Sequence, residues 1–254
     1  MRWPAEAVWE AVAPLLPGFT VEVLPQVDST NTELMRRARG VQGEPVLLVA
    51  EQQTAGRGRL GRGWQSAAGA SLTFSLGLPL APADWSGLSL AVGVSVAQSL
   101  HPAIRLKWPN DLWLDERKLG GILIETASFG EAGTGERYAV IGIGLNIAPP
   151  PAEGLSTAPA ALRELLPHAE APDVLQRVAL PLVTDVLRFA QDGFAPLRAR
   201  FEARDALRGR AVTLSDGTAG VAQGVSASGS LLVHTAAGLQ AVSSSEVSVR
   251  PAAA

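Results

Sequence analysis

The spacing of apolar and polar residues divides the chain into segments of different period. VEVLP (Val21 to Pro25) reads as a strand, and DSTNTELMRRARG (Asp28 to Gly40) follows it as a helix. Thr30 and Glu33 have capping-box spacing, and Gly40 stands where a terminating glycine would. Ser29, Thr30 and Asn31 are therefore expected at a strand-to-helix junction. PVLLVAEQQ predicts a buried strand. ASLTFSLGL alternates, with Leu72, Phe74 and Leu76 on one face and Thr73 and Ser75 on the other. Trp85 to Leu100 is small, apolar and free of proline, which suits a helix packed on a sheet. IRLKWPNDLWLDERKLGGILIET reads as three strands joined by turns at Pro109–Asp111 and Asp115–Lys118.

RYAVIGIGLNIAP (Arg137 to Pro149) is a further strand in which Gly142, Gly144 and Asn146 share one face. Helices are predicted over 5–16, 162–166, 174–189 and 195–207, with PPPAEG as a linker. From Gly209 the pattern becomes about five short strands separated by DG, SG and AG turns. The expected fold is α+β: a mixed β-sheet domain with flanking helices over 1–207, and a small β-barrel module over 208–254 packed against it.

One stretch fits none of these periods. QTAGRGRLGRGW (Gln53 to Trp64) interleaves Gly56, Gly58, Gly61 and Gly63 with Arg57, Arg59 and Arg62. Glycine permits positive φ and close approach to a ligand, and arginine offers a planar charged fork to phosphate or carboxylate. A solvated surface loop and an RNA-binding segment are the ordinary readings of such a run. Its place between two apolar runs makes it a loop inside a folded domain, mobile when free and ordered around an anion.

Composition narrows the chemistry. The chain has 254 residues, 47% hydrophobic and 18% charged, with a net charge of −3, so the three arginines are a local feature and no global basic field exists. No cysteine is present, which removes disulfides, thiolate nucleophiles and cysteine-ligated metals. The three histidines lie far apart in sequence. No apolar run reaches the ~18 to 20 residues of a membrane span. Glu6 and Glu10 interrupt what would be the apolar core of a signal peptide, so the cytoplasm is the expected setting.

Four features then fall on loops or strand ends of one sheet: Ser29-Thr30-Asn31, the glycine–arginine loop, KWPND with Lys118 to Gly121, and GIGLN. Arg57, Arg59, Arg62 and Lys118 make the set cationic. Neither a Ser/His/Asp triad nor an acid/base pair of carboxylates is evident. This suits an anionic ligand such as a phosphate ester, with catalysis by orientation and charge stabilisation. The loop is neither a Walker loop nor a dinucleotide fingerprint. Helix capping explains one of the three junction residues equally well, and packing against a helix is the alternative reason for the paired glycines.

DSTN, QQTAGRGRLGRGW, KWPNDLWLDERKLGGILIE and GIGLNI, in this order, resemble the motif set of the biotin–protein ligases, and GRAVTL…SSEVSVR resembles their C-terminal SH3-like barrel. The resemblance covers Val23 to Arg250 and implies the class II synthetase, biotin–lipoate ligase-like fold. It also implies a two-step reaction: biotin and Mg-ATP give biotinyl-5′-AMP, and a lysine of the biotin carboxyl carrier protein then takes the biotinyl group. Ser29, Thr30, Asn31, Gln53, Gly56, Arg57, Gly58, Arg59, Lys118, Gly121 and Gly144 would hold biotin. Arg59, Arg62, Trp64, Asn110, Lys118 and Asn146 would hold ATP, with Lys118 and Arg59 catalytic and Mg2+ carried by the nucleotide. A homodimer through sheet edges is compatible with such a fold.

Two alternatives stay open on these residues. One is a ligase for lipoate or another small acid; the other is a sensor whose loop closes on biotin or nucleotide without chemistry. Bifunctional members of the family carry a winged helix-turn-helix ahead of the ligase motifs, which here begin at Asp28. The expectation is a monofunctional ligase without operator binding. In a gel shift at physiological salt, biotin should cause no specific DNA retention; a biotin-dependent shifted band would overturn this.

Overall fold

A computed structural model of the protein describes residues 1–39, 43–128, 136–150, 159–243 and 249–251. Gly40, Glu246 and most of the PPPAEG segment lie outside the described residues. Helix α1 (Ala5–Val12) leads into strand β1 (Thr20–Val27) and helix α2 (Thr30–Arg39). Strand β2 (Val46–Gln53) precedes a small hairpin of β3 (Gly56–Arg57) and β4 (Gly63–Trp64). Then come β5 (Ser71–Leu80), α3 (Leu88–Leu100), β6 (Arg105–Lys107), β7 (Asp111–Leu114), β8 (Arg117–Ser128) and β9 (Arg137–Asn146). Helices α4 (Ala171–Asp192) and α5 (Arg198–Glu202) complete this part.

The main sheet has seven strands in the order β1-β2-β5-β9-β8-β7-β6. Only β1 and β2 run parallel; the other pairs are antiparallel, so the sheet is mixed. Its two faces are covered unequally. On one face Leu47, Val49, Leu72, Phe74, Leu76, Ile141, Ile143 and Leu145 join α1, α3 and α4 in the large core. On the other, Leu34 and Ala38 of α2 pack on Val46, Leu48, Tyr138 and Val140. Helix α2 is only ten residues long. At 1.5 Å rise per residue it spans about 15 Å, too short to cover a sheet of seven strands spaced about 4.8 Å apart. The uncovered part of that face is where the site forms.

Ser29 takes the helix-cap position expected of Thr30: the Glu33 amide donates to the Ser29 carbonyl at 2.9 Å, and Thr30 is the first helical residue. Glu33 points to Arg36 and Arg37 instead of back to the cap. The first helix ends at Val12, four residues early, and the chain turns there with the Leu15 and Leu16 amides both donating to the Val12 carbonyl. Helix α4 is longer than expected at both ends, and the predicted helix over 195–207 is a 3-10 turn (Ala195–Leu197) followed by α5. Leu162–Glu164 is likewise a 3-10 turn.

The C-terminal part forms β10 (Ala211–Leu214), β11 (Ala219–Val225), β12 (Leu231–Thr235), β13 (Gly238–Val242) and β14 (Val249–Pro251). Among the described residues these make one open antiparallel sheet, ordered β13-β12-β11-β10-β14. Val212, Leu214, Ala222, Val225, Leu231 and Val233 belong to the same apolar core as the main sheet. The buried Trp108 indole donates to the Gly229 carbonyl at 3.0 Å and pins the two parts together.

Candidate functional site

A cleft of about 410 Å³ opens over the uncovered sheet face, between the start of α2 and the β3–β4 hairpin. Ser29, Thr30, Asn31, Gln53, Arg57, Gly58, Arg59, Arg62, Trp64, Asn110, Lys118, Gly121 and Gly144 all line it. Residues more than a hundred positions apart thus converge on one hollow. Two of the expected site residues do not line it. Gly56 lies in the hairpin opposite Trp64, where a side chain would meet the Trp64 carbonyl at 2.6 Å. Asn146 is buried, and its amide donates to the carbonyls of Ala160 at 3.0 Å and Lys118 at 3.4 Å.

One end of the cleft is built from uncharged polar groups. The Thr30 amide donates to Gln53 Oε1 at 2.7 Å, with the Thr30 hydroxyl 3.1 Å from the same oxygen. The Ser75 hydroxyl lies 2.7 Å from Thr30 Oγ1 and 2.6 Å from Asn31 Oδ1, so its single proton can serve only one of them. The Asn31 amide then donates to the Leu123 carbonyl at 3.2 Å and to Glu125 Oε2 at 2.9 Å. Ser29, Thr30, Asn31 and Ser75 are all buried, and buried polar groups must be paired to be tolerated. The chain of contacts therefore fixes the first turn of α2 against the sheet.

The other end is cationic. Lys118 Nζ lies 2.8 Å from Asp111 Oδ1, and Lys107 reaches the second Asp111 oxygen at 3.9 Å while stacking over Trp113. Arg59 donates to Asn110 Oδ1 at 3.3 Å, and the Asn110 amide holds the Ile122 carbonyl at 2.8 Å. Burial pulls the Arg59 guanidinium below its usual range; Asp111 opposes this and the neighbouring Arg62 adds to it. Among the described residues, Asp111 is the only carboxylate lining the cleft. Cations crowded around one carboxylate make a site short of negative charge, which an anionic ligand would supply.

The hairpin forms the roof. Its backbone closes through Gly58 N–H to the Arg62 carbonyl at 2.7 Å, and Leu60 sits at the tip with φ 57° and 70% exposure. The glycines below make room for protein side chains. A Cβ on Gly144 would lie 2.5 Å from the Trp64 ring, one on Gly121 would lie 3.2 Å from Lys118 Nζ, and one on Gly142 would collide with Asn31. Trp64 Nε1 is buried there and makes no hydrogen bond among the described residues, which costs about 1–3 kcal/mol unless another group supplies an acceptor.

Family comparison agrees with this geometry. Residues 23–146 match the model of the biotin/lipoate A/B protein ligase family, and residues 203–250 match that of the biotin protein ligase C-terminal domain. The bifunctional ligase/repressor BirA of Escherichia coli is 35% identical over 93% of this chain and 76% of its own length. The biotin–[acetyl-CoA-carboxylase] ligase of Paracoccus denitrificans is 34% identical over 89% of this chain and 98% of its own length. The chain belongs to the biotin–protein ligase family. A solved biotin protein ligase from Aquifex aeolicus, in complex with biotin and ATP, superposes with a TM-score of 0.78 at 29% identity, covering 91% of this chain and 99% of that one.

As a biotin–protein ligase the chain carries site residues that its sequence pattern did not single out. Ser75 had been assigned to the polar face of its strand, and a polar position in an otherwise apolar buried strand was the available signal. Lys107 and Asp111 are the ends of the KWPND feature, but the pattern gave neither of them a role. Glu125 ends the KWPNDLWLDERKLGGILIE motif without a role of its own in that pattern, and Val249 reaches the cleft from the C-terminal sheet.

The glycine packing can be tested. Gly144→Ala should push the Trp64 indole off the sheet and raise acrylamide quenching of tryptophan fluorescence. The increase should vanish in a Trp64→Phe background. Unchanged quenching would mean that the ring does not rest on Gly144.

Proposed function

We propose that this cleft joins biotin to AMP and then passes the biotinyl group to a lysine of a biotin carboxyl carrier protein. The observation that carries the reading is the meeting, in one cleft, of an uncharged hydrogen-bonding end and a cationic end. Biotin has the matching polarity. Its ureido ring is neutral and rich in donors and acceptors, and its carboxylate must approach the α-phosphate of ATP although both are anionic.

In the first step a biotin carboxylate oxygen attacks the α-phosphorus and the bond to the β-phosphate breaks, releasing pyrophosphate. In the second the acceptor amine attacks the acyl carbon, AMP leaves and the amine loses a proton. No side-chain nucleophile is required. Ser29, Thr30, Gln53 and Asn31 would receive the ureido end, Asn31 through Oδ1 because its amide protons are already taken. Backbone of Arg57 to Arg59 would line the biotin path. Lys118 and Arg59 would stand at the carboxylate–phosphate junction, Arg62 at the outer phosphates, and Trp64 beside adenine. Asn110 would face the nucleotide directly, while Asn146 would act through the Ala160 and Lys118 carbonyls it holds.

Magnesium fits as an ion carried by the triphosphate. Among the described residues no cluster of three His, Asp or Glu side chains could hold one alone. Asp111 could join such an ion, since Mg2+ commonly takes one or two carboxylates and otherwise phosphates and water. The ion would neutralise phosphate charge; the chain's own cations do the rest.

The same reading places the catalytic domain at residues 1–207 and an SH3-like barrel at 208–254. Support for that division is the separate C-terminal family match at 203–250.

Each charge-assisted contact at the junction is worth about 1.5–3 kcal/mol, or about 10- to 150-fold in rate if made only in the transition state. Lys118→Ala should therefore lower biotin-dependent pyrophosphate exchange by on the order of 100-fold, with biotin affinity by calorimetry changed only a few-fold. Wild-type exchange in this variant would remove Lys118 from the mechanism. Exchange in the native protein that responds to lipoate and not to biotin would redirect the substrate assignment.

A further inference from the structure

The carboxylate of Glu125 touches both the start of α2 and the roof. Its Oε2 accepts from the buried Asn31 amide at 2.9 Å, and the Arg57 guanidinium lies 3.2 and 3.3 Å from its two oxygens. Asn31 belongs to the polar end of the cleft and Arg57 to the roof. Glu125 itself does not line the cleft. It stands in the middle of β8, on the α2 side of the sheet, paired across from Val140.

We infer that Glu125 is a positioning residue that makes closure of the glycine–arginine roof depend on the hydrogen-bonded biotin end of the cleft. The inference rests on the ligase reading above. Starting at Gln53, the contacts run through Thr30, Ser75 and Asn31 to Glu125 and return to the roof at Arg57. Gln53 is the last residue before the roof and Arg57 lies inside it, so the chain of contacts ties together both sides of the roof's first turn. Biotin bound among Thr30, Asn31 and Gln53 alters the same network that holds Arg57.

Glu125 is suited to this because its two oxygens serve donors of different exposure. Asn31 is 3% exposed, whereas the Arg57 side chain is 46% exposed. If only one acceptor remained, the buried amide would keep it, since an unpaired buried donor is costly and Arg57 can turn to water. Glu125→Gln leaves one acceptor and no charge, so it should release the roof and spare the polar end. Glu125→Ala removes both acceptors and should disturb both.

Two readouts test this. In the ligand-free protein, amide hydrogen exchange should quicken about 2- to 5-fold at Gly58 and Arg62 in Glu125→Gln, the range expected for a partly exposed ion pair, with the first turn of α2 unchanged. In Glu125→Ala both segments should quicken. In turnover, Glu125→Gln should raise the biotinyl-AMP dissociation rate by a similar factor while the biotin KM stays within about 2-fold; Glu125→Ala should raise the biotin KM as well.

Roof exchange and adenylate release both unchanged in Glu125→Gln would overturn the inference. So would equal effects of both variants on all parameters, which is the signature of a purely structural residue. If the roof loosens as expected but the native protein forms no biotinyl-AMP, the coupling stands and the ligase reading fails. Should Glu125→Ala not fold, Glu125→Gln decides alone.

Discussion

Burying polar atoms on a sheet face is costly unless they are paired, and that constraint shapes the start of α2 in this molecule. Helix α2 begins over the sheet with Ser29, Thr30 and Asn31 buried, three residues that would ordinarily sit in water. Gln53, Ser75, the Leu123 carbonyl and Glu125 provide their partners from β2, β5 and β8. These partners come from three separate strands, so the start of the helix is held from several directions at once. Gly142 is the counterpart in β9, where any side chain would strike Asn31. A rigid recognition pocket follows from satisfying hydrogen bonds that the fold itself made necessary.

The opposite end of the cleft works on a different balance. Among the described residues lining it, Arg57, Arg59, Arg62, Lys107 and Lys118 face a single carboxylate, Asp111, which pairs with Lys107 and Lys118. Partial burial raises the cost of keeping Arg59 charged, as its lowered pKa reflects, and this makes an incoming anion more favourable than it would be at an open surface. The roof that brings Arg57, Arg59 and Arg62 over the cleft has a two-residue β pairing and a strained, exposed tip at Leu60. A roof so lightly held can open to admit substrates and close on an adenylate, shielding it from water.

Much of this was legible in the sequence, for particular reasons. The glycine–arginine run was a poor helix and a poor strand, holding in the structure only two two-residue strands and a 3-10 turn, and its flanking apolar runs placed it inside a domain. The strands from Arg105 to Asn146 announced themselves through turn residues and alternation. Contacts between distant segments were not legible. Ser75 and Glu125 occupy ordinary strand positions, and their roles come from residues 44 and 94 positions away in Asn31. The paired glycines were read as space for a ligand or for a packed helix. The structure shows Asn31 and Trp64 in that space, side chains that themselves face the cleft. The cap fell to Ser29 because Thr30 was needed by Gln53 and Ser75. The C-terminal strands were correctly separated, but among the described residues they form an open sheet and not a closed barrel.

Polar end, cationic end and roof together describe a site that activates an acid and hands it on. The most direct measurement is mass spectrometry of a biotin carboxyl carrier domain incubated with this protein, ATP and biotin. The account predicts one biotinyl group on one lysine, formed only when ATP and biotin are both present. A carrier domain that stays unmodified under these conditions, with the protein folded, would contradict it.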